Sequence, residues 1–394
     1  MRIFISTGEV SGDLQGAMLV EALHRQAKMA NLEVEIVALG GDRMKEAGAN
    51  VIVNTTTIGS IGFFEALPLV IPTIKVQNQA KKYLQEYPPD VLVLIDYAAP
   101  NIAIASYVKK NFPQIPVVYY IAPQDWAVPR LGNASKVIKI ADRILAIFPE
   151  EAKYYRSKGV EVTWVGHPLI DRINSTATRE QARLALDISL EQNIITLLPA
   201  SRKQEITQML PTICEAAQLI QQKIPDIQFL IPISLRNYRE AIAAAITEYN
   251  LHATIIEEKT LDAIAAADIA ITKSGTVNLE IALLNTPQIV FYRVHPITAW
   301  VGRNILKIKI IFMSPPNLIL NRGVVPELQQ EAATPENIAE TALELFFNQS
   351  QREKIIAGYQ EMRELLGELG VCDRAAQEIF KIAQKHNNSK LSNF

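Results

Sequence analysis

Short runs of apolar, mostly β-branched residues recur along the chain and alternate with longer segments whose apolar positions return every three or four residues. The runs at 2–6, 34–39, 91–95, 117–121, 144–147 and 162–165 predict strands, and 13–28, 69–86 and 101–110 predict helices between them. Nearly unbroken apolar strands joined by helical crossovers form a parallel sheet covered on both faces. The pattern restarts after a polar, helix-prone stretch at 174–183. A second series of strands is predicted at 194–198, 229–232, 253–256, 269–272 and 288–291, with helices at 204–222 and 275–284. After Pro335 the strand signal ends; 335–347, 351–366 and 372–385 predict helices, followed by a polar tail. The expected class is α/β, with two doubly wound, Rossmann-like domains facing a cleft. Their bounds are 1–168 and 169–345, and the C-terminal helices in 346–394 pack back on the first domain or on a partner subunit.

Composition narrows the function. With 394 residues, 49% hydrophobic and 20% charged, the chain has ample material for packed cores. Lys plus Arg is 39 against 41 Asp plus Glu, a net charge of -2 that argues against a nucleic-acid partner. The apolar runs are strand-sized, well short of the ~20 residues of a spanning helix. Only Arg2 precedes Ile3-Phe4-Ile5, which leaves no room for a secretory core, so a cytoplasmic chain is expected. Two cysteines, Cys214 and Cys372, and five scattered histidines supply neither a disulfide framework nor a zinc site. No metal and no cofactor is expected.

Candidate chemistry sits where strands end. Gly8-Glu9-Val10-Ser11-Gly12-Asp13 follows the first strand and opens a helix near Asp13. Its glycines allow a tight turn and close approach to a ligand, while its acids suit hydroxyl recognition better than phosphate. Capping by Ser11 or Asp13 is the alternative use. Asp96 ends the apolar run 91–95 and precedes Tyr97-Ala98-Ala99-Pro100-Asn101. A carboxylate at that place can take a proton from an attacking hydroxyl, or cap the next turn. In the second series, Pro199-Ala200-Ser201-Arg202 closes a strand before a helix, where Arg202 suits a diphosphate unless it is merely solvated. Lys273-Ser274-Gly275-Thr276 closes another strand, offering hydroxyl and N–H donors to phosphate oxygens. Glu280, one turn into the next helix, can accept from the paired hydroxyls of a ribose or be an exposed helix residue. Neither turn is a Walker loop or a G-x-G-x-x-G fingerprint, which favours a nucleotide other than P-loop ATP or NAD. The apolar segment 61–72, with Phe63, Phe64, Leu67, Leu69, Val70 and Ile71, reads as a membrane or acyl-binding lip or as a buried helix start; Lys75, Lys81 and Lys82 follow it.

In collinear order these turns resemble the lipid-A-disaccharide synthase family, inverting glycosyltransferases of the two-domain glycosyltransferase-B fold. The resemblance is carried by Gly8–Asp13, Gly166-His167-Pro168, Pro199–Arg202, and Ser274-Gly275-Thr276 with Glu280. Pro316-Asn317-Leu318 and Val325-Pro326-Glu327-Leu328-Gln329-Gln330 complete it. It implies transfer of 2,3-diacylglucosamine from its UDP conjugate to 2,3-diacylglucosamine 1-phosphate, giving the β(1→6) disaccharide and UDP without a metal. It places Ser201, Arg202, Ser274, Gly275, Thr276, Glu280, Asn317, Glu327 and Gln330 around UDP, with Arg202 on the diphosphate and catalytic. It makes Asp96 the base for the acceptor, beside an acceptor region of Gly8, Glu9, Ser11, Gly12, Asp13 and Asn101. It also implies peripheral contact with the cytoplasmic face of the inner membrane through 63–71, and homodimers that exchange their C-terminal helices. The chain departs from the family's Asp-x-Pro-Asp-Phe-Asn at 96–101, where the second acid is absent, and has Ala200 for the glycine of Pro-Gly-Ser-Arg. Two alternatives therefore stand beside the first reading: a UDP-sugar transferase with another lipid or glycan acceptor, and a non-catalytic UDP-sugar- or lipid-binding relative.

Overall fold

The parallel strands sort into two sheets in a computed structural model of the chain. It describes every residue except 57, 59–68, 124–133, 175, 200–202, 234–235, 294–299, 301–310 and 392–394, and gives the backbone alone at 203–205, 236 and 386–391. Phe63, Phe64, Leu67, Ser201 and Arg202 thus lie outside the described residues.

The first sheet runs β3-β2-β1-β4-β5-β6-β7. Its strands are β1 (Arg2–Ser6), β2 (Glu35–Gly40), β3 (Asn50–Asn54), β4 (Val91–Ile95), β5 (Val117–Tyr120), β6 (Arg143–Ala146) and β7 (Val162–Trp164). All neighbours pair in parallel, as continuous apolar strands with helical crossovers require. All five side chains of β4 are fully buried, each worth about 2 kcal/mol by transfer from water. The second sheet runs β10-β9-β8-β11-β12-β13, from β8 (Ile194–Leu198), β9 (Gln228–Pro232), β10 (Ala253–Ile256), β11 (Ile269–Lys273), β12 (Gln288–Tyr292) and β13 (Glu327–Gln329). Each sheet therefore has an edge strand that the apolar pattern does not announce. β3 and β13 are half-buried and carry polar residues at their ends, so neither gives the apolar run of a central strand.

Two parallel-sheet α/β domains result. The chain clusters into Met1–Arg172 with Leu365–Phe394, and Ile173–Glu364. Helices Pro335–Phe347 and most of Gln349–Leu366 belong to the second unit, while Val371–Leu391 returns to the first and lies along its first helix, Glu9–Met29. Asp171 fixes that return. Its carboxylate accepts from the backbone N–H groups of Gly370, Val371 and Cys372, the free donors at the start of the terminal helix.

In each sheet the strand order reverses once beside a central pair, β1/β4 in the first and β8/β11 in the second. Crossovers leave to opposite sides at such a pair, opening a crevice at the carboxyl ends of the strands. The Gly8–Asp13 turn and Asp96 follow β1 and β4. The turn at 273–276 follows β11, and Pro199 follows β8; 200–202 lie outside the described residues. The first pair of sequence candidates thus meets at the switch point of its sheet, and the 273–276 turn stands at that of the second.

Candidate active site

At the first switch point the chain leaves β4 through two consecutive left-handed residues, Asp96 (φ 45°) and Tyr97 (φ 46°). Side chains other than glycine seldom adopt this conformation, and it persists here because the main chain of Asp96 is held at both ends. Its N–H donates to the carbonyl of Ile121, which is itself left-handed at φ 60°. Its carbonyl accepts from Asn101 Nδ2 at 2.7 Å and from the Tyr119 hydroxyl at 2.9 Å. The Asp96 side chain is exposed. A carboxylate on a fixed backbone, open to solvent at the carboxyl edge of a sheet, can accept a proton from a bound hydroxyl.

The other acceptor-side candidates are built into this frame. Asn101 is fully buried: Oδ1 accepts from the Ser6 hydroxyl, and Nδ2 serves the carbonyls of Ile95 and Asp96. It shapes the Asp96 turn from within. The first helix starts at Glu9 (φ 65°), not near Asp13. The glycines make room for the protein's own side chains. A Cβ on Gly8 would lie 2.6 Å from the Tyr97 ring, and one on Gly12 would lie 2.1 Å from Thr7 Oγ1. Asp13 is buried, and its carboxylate accepts from the N–H groups of Gly41, Arg43 and Met44, the start of helix Asp42–Glu46. It caps that later helix, not its own. Asp13→Ala leaves three donors unpaired, and denaturant unfolding is expected to show a loss of about 2–3 kcal/mol. Glu9 and Ser11 are half-buried at the turn.

The second switch point holds a polar frame of the same kind. Asn278 Oδ1 accepts from the Gly275 N–H at 2.7 Å, while its Nδ2 donates to the Lys273 carbonyl and to Gln288 Oε1. Gln288 Nε2 donates in turn to the carbonyl of Asn278 and to the Tyr359 hydroxyl. Ser274 donates its one hydroxyl proton to the Met313 carbonyl. The N–H of Gly275 and the hydroxyl proton of Ser274 are thus engaged with groups of the fold. Thr276 is half-buried at the start of helix Val277–Leu283, and Glu280 is buried inside it, which removes the exposed-helix reading.

Asn317 and Glu327, expected beside the nucleotide, hold the neighbouring segment. Asn317 is 1% exposed; Oδ1 accepts from the N–H groups of Val324 and Val325, and Nδ2 donates to the Val325 carbonyl and to Glu327 Oε1. Glu327 also accepts from the Met313 and Ser314 N–H groups, the Ser314 hydroxyl and Gln329 Nε2. Five donors thus converge on a carboxylate with about four lone-pair sites, which fixes Glu327 firmly in the frame. Gln330 is half-buried and left-handed at φ 51°, and its carbonyl accepts from Arg293 Nε.

Gly166-His167-Pro168 is structural. Gly166 (φ 92°) approaches the Leu366 carbonyl too closely for a side chain, a Cβ there lying 2.9 Å away. His167 Nδ1 accepts from the Leu169 N–H, and burial pushes the ring's pKa down to about 3, keeping it neutral. In the apolar segment, Val70 and Ile71, with Ile74, are exposed on the first turns of helix Val70–Glu86, and Leu69 is half-buried.

Sequence reasoning missed Tyr119, Asn278 and Gln288. Gln288 carried a faint signal, a polar residue opening an otherwise apolar strand. Tyr119 and Asn278 gave none: Tyr119 acts on a carbonyl distant in the chain, and Asn278 reads as an ordinary polar helix residue.

The lipid-A-disaccharide synthetase family model matches residues 3–382. The lipid-A-disaccharide synthase of Gloeothece citriformis is 57% identical over 96% of this chain and 99% of its own length. That of Synechocystis sp. is 52% identical over 99% and 100%. Among solved structures, UDP-GlcNAc 2-epimerase from Neisseria meningitidis bound to UDP-GlcNAc superposes with a TM-score of 0.63, covering 92% of this chain and 99% of that one at 15% identity. A glycotransferase of kitacinnamycin gives 0.63, with 97% and 99% covered at 14% identity. At such identities these likenesses concern fold alone, the glycosyltransferase-B type. With matches of this length and identity, the chain belongs to the lipid-A-disaccharide synthetase family.

Proposed function

We propose that this chain is an inverting hexosyltransferase that moves 2,3-diacylglucosamine from UDP to the 6-hydroxyl of 2,3-diacylglucosamine 1-phosphate. The reading is carried by the full-length family match together with Asp96, exposed on a fixed turn at the end of β4. The acceptor oxygen attacks the anomeric carbon, the bond from that carbon to the diphosphate breaks, and the hydroxyl proton passes to Asp96. Arg202 and the start of helix Lys203–Lys223 receive the charge developing on UDP, and no metal is needed. The polar frame around Asn278, Asn317 and Glu327 shapes the nucleotide site from behind.

UDP release from the purified protein supplied with the diacylated donor and acceptor tests the proposal. Turnover with that pair is expected. Turnover with another lipid or glycan alone would change the acceptor, and binding without turnover would remove catalysis.

Membrane contact through the start of helix Val70–Glu86 is part of the same proposal. Val70, Ile71 and Ile74 are 47, 67 and 49% exposed, and among the described residues no helix is long and apolar enough to cross a membrane. Ile71→Glu is expected to lower co-sedimentation with anionic vesicles several-fold without changing the fold. An exchanged homodimer would transfer the contacts of the terminal helix with Asp171 and the first helix to a second copy, which sedimentation equilibrium would detect.

A further inference from the structure

Glu151 belongs to none of the motifs used so far. It stands in the first turn of helix Pro149–Ser157, directly after β6, and is 1% exposed. Its Oε2 accepts from the Ile147 N–H at 2.8 Å and more weakly from the Phe148 N–H at 3.4 Å. Among the described residues its Oε1 is buried without a well-formed hydrogen bond, although the Ala122 N–H acts on the carboxyl. Burying a carboxylate ion costs far more than burying the neutral acid, which carries no charge to be solvated. β6 lies beside β5, and β5 beside β4. Glu151 and Asp96 therefore follow strand ends two places apart in one sheet, roughly 10 Å at ~4.8 Å per strand.

We propose that Glu151 is a positioning residue for the transfer reaction: a neutral, buried carboxylic acid that leaves Asp96 as the single negative charge of the pair. This rests on Asp96 being the base. Burial pushes the Glu151 carboxyl up to about 8; the backbone N–H groups of Ile147, Phe148 and Ala122 oppose that rise, and the charge of Asp96 adds to it. The other titratable neighbours among the described residues leave this pairing alone. On its own helix Glu150 and Lys153 are largely exposed and face each other. Across the Phe148 ring, His167 is neutral. Tyr155 donates its hydroxyl to the Pro123 carbonyl. Above pH 8 a second negative charge would arise in the sheet that carries Asp96, opposing the charge of that carboxylate and loosening the β6 turn.

The test compares pH profiles of kcat/KM for the wild-type chain and Glu151→Gln, which is neutral at every pH. Wild-type activity is expected to fall above about pH 8. Glu151→Gln should stay within about threefold of wild type at pH 7 and lack that fall. A loss above tenfold at pH 7, or an unchanged alkaline fall in the variant, would overturn the proposal. Two measurements do not need activity. Glu151's contribution to folding stability, read as wild type minus Glu151→Gln, should decline as pH rises from about 4.5, where the unfolded carboxyl ionises, to about 8, where the folded one does, and then level off. Carbon-13 NMR of the Glu151 carboxyl in the wild-type chain should show a midpoint near 8, and an ionised group at pH 7 would refute the idea whatever the variant does. If Asp96→Asn kept full activity while those two results held, the base assignment would fail and the protonation state of Glu151 would stand.

Discussion

Asp96→Asn is expected to lower kcat at least ~100-fold, about 2.7 kcal/mol in the barrier, with little change in KM. The amide has the shape of the acid but cannot take up the acceptor's proton. Stability should be unchanged or slightly raised. The position is left-handed, and asparagine adopts that conformation at least as readily as aspartate. The hydrogen bonds that hold the turn come from the backbone of Asp96 and survive the change. Steady-state kinetics with thermal unfolding of the same sample checks both halves. A rate near wild type would remove Asp96 from the chemistry, and a large fall in melting temperature would turn the kinetic loss into a folding defect.

Glu327→Gln is expected to be nearly as damaging, through the frame and not the chemistry. Its carboxylate gathers donors from Met313, Ser314, Asn317 and Gln329, and Met313 in turn accepts from Ser274. A glutamine turns one acceptor oxygen into a donor facing other donors, leaving two or more buried groups unpaired. The cost is about 2–4 kcal/mol. Because Ser274 closes β11 at the switch point, UDP affinity should fall at least tenfold while the first unit keeps its stability. Calorimetric titration with UDP and urea unfolding measure the two effects. Unchanged affinity with lowered stability would detach the frame from the nucleotide.

Much of this was readable in the sequence, for identifiable reasons. A central parallel strand is apolar on both faces, so β1, β4, β8 and β11 stand out as unbroken runs, and the residue ending such a run is automatically at the carboxyl edge. That is how Asp96 is found. Edge strands lack the double burial, which hides β3 and β13. The pattern of polar residues marks a turn as special without saying whether its polar atoms serve a ligand or the fold. Asp13, Asn101, Asn317 and Glu327 belong to such polar stretches, and each makes hydrogen bonds to groups of the fold itself. Glu151 is concealed by the opposite effect: next to Glu150 on a polar helix start it looks solvated, and tertiary packing alone buries it.

The return of Val371–Leu391 to the first unit has a consequence for how the protein is made. Ribosomes release roughly 5–20 residues per second, so tens of seconds pass between the emergence of Arg172 and that of the closing helix. The lobe translated first is the last to be completed. Until then the apolar flank of helix Glu9–Met29 stays uncovered, an opening for chaperones during synthesis.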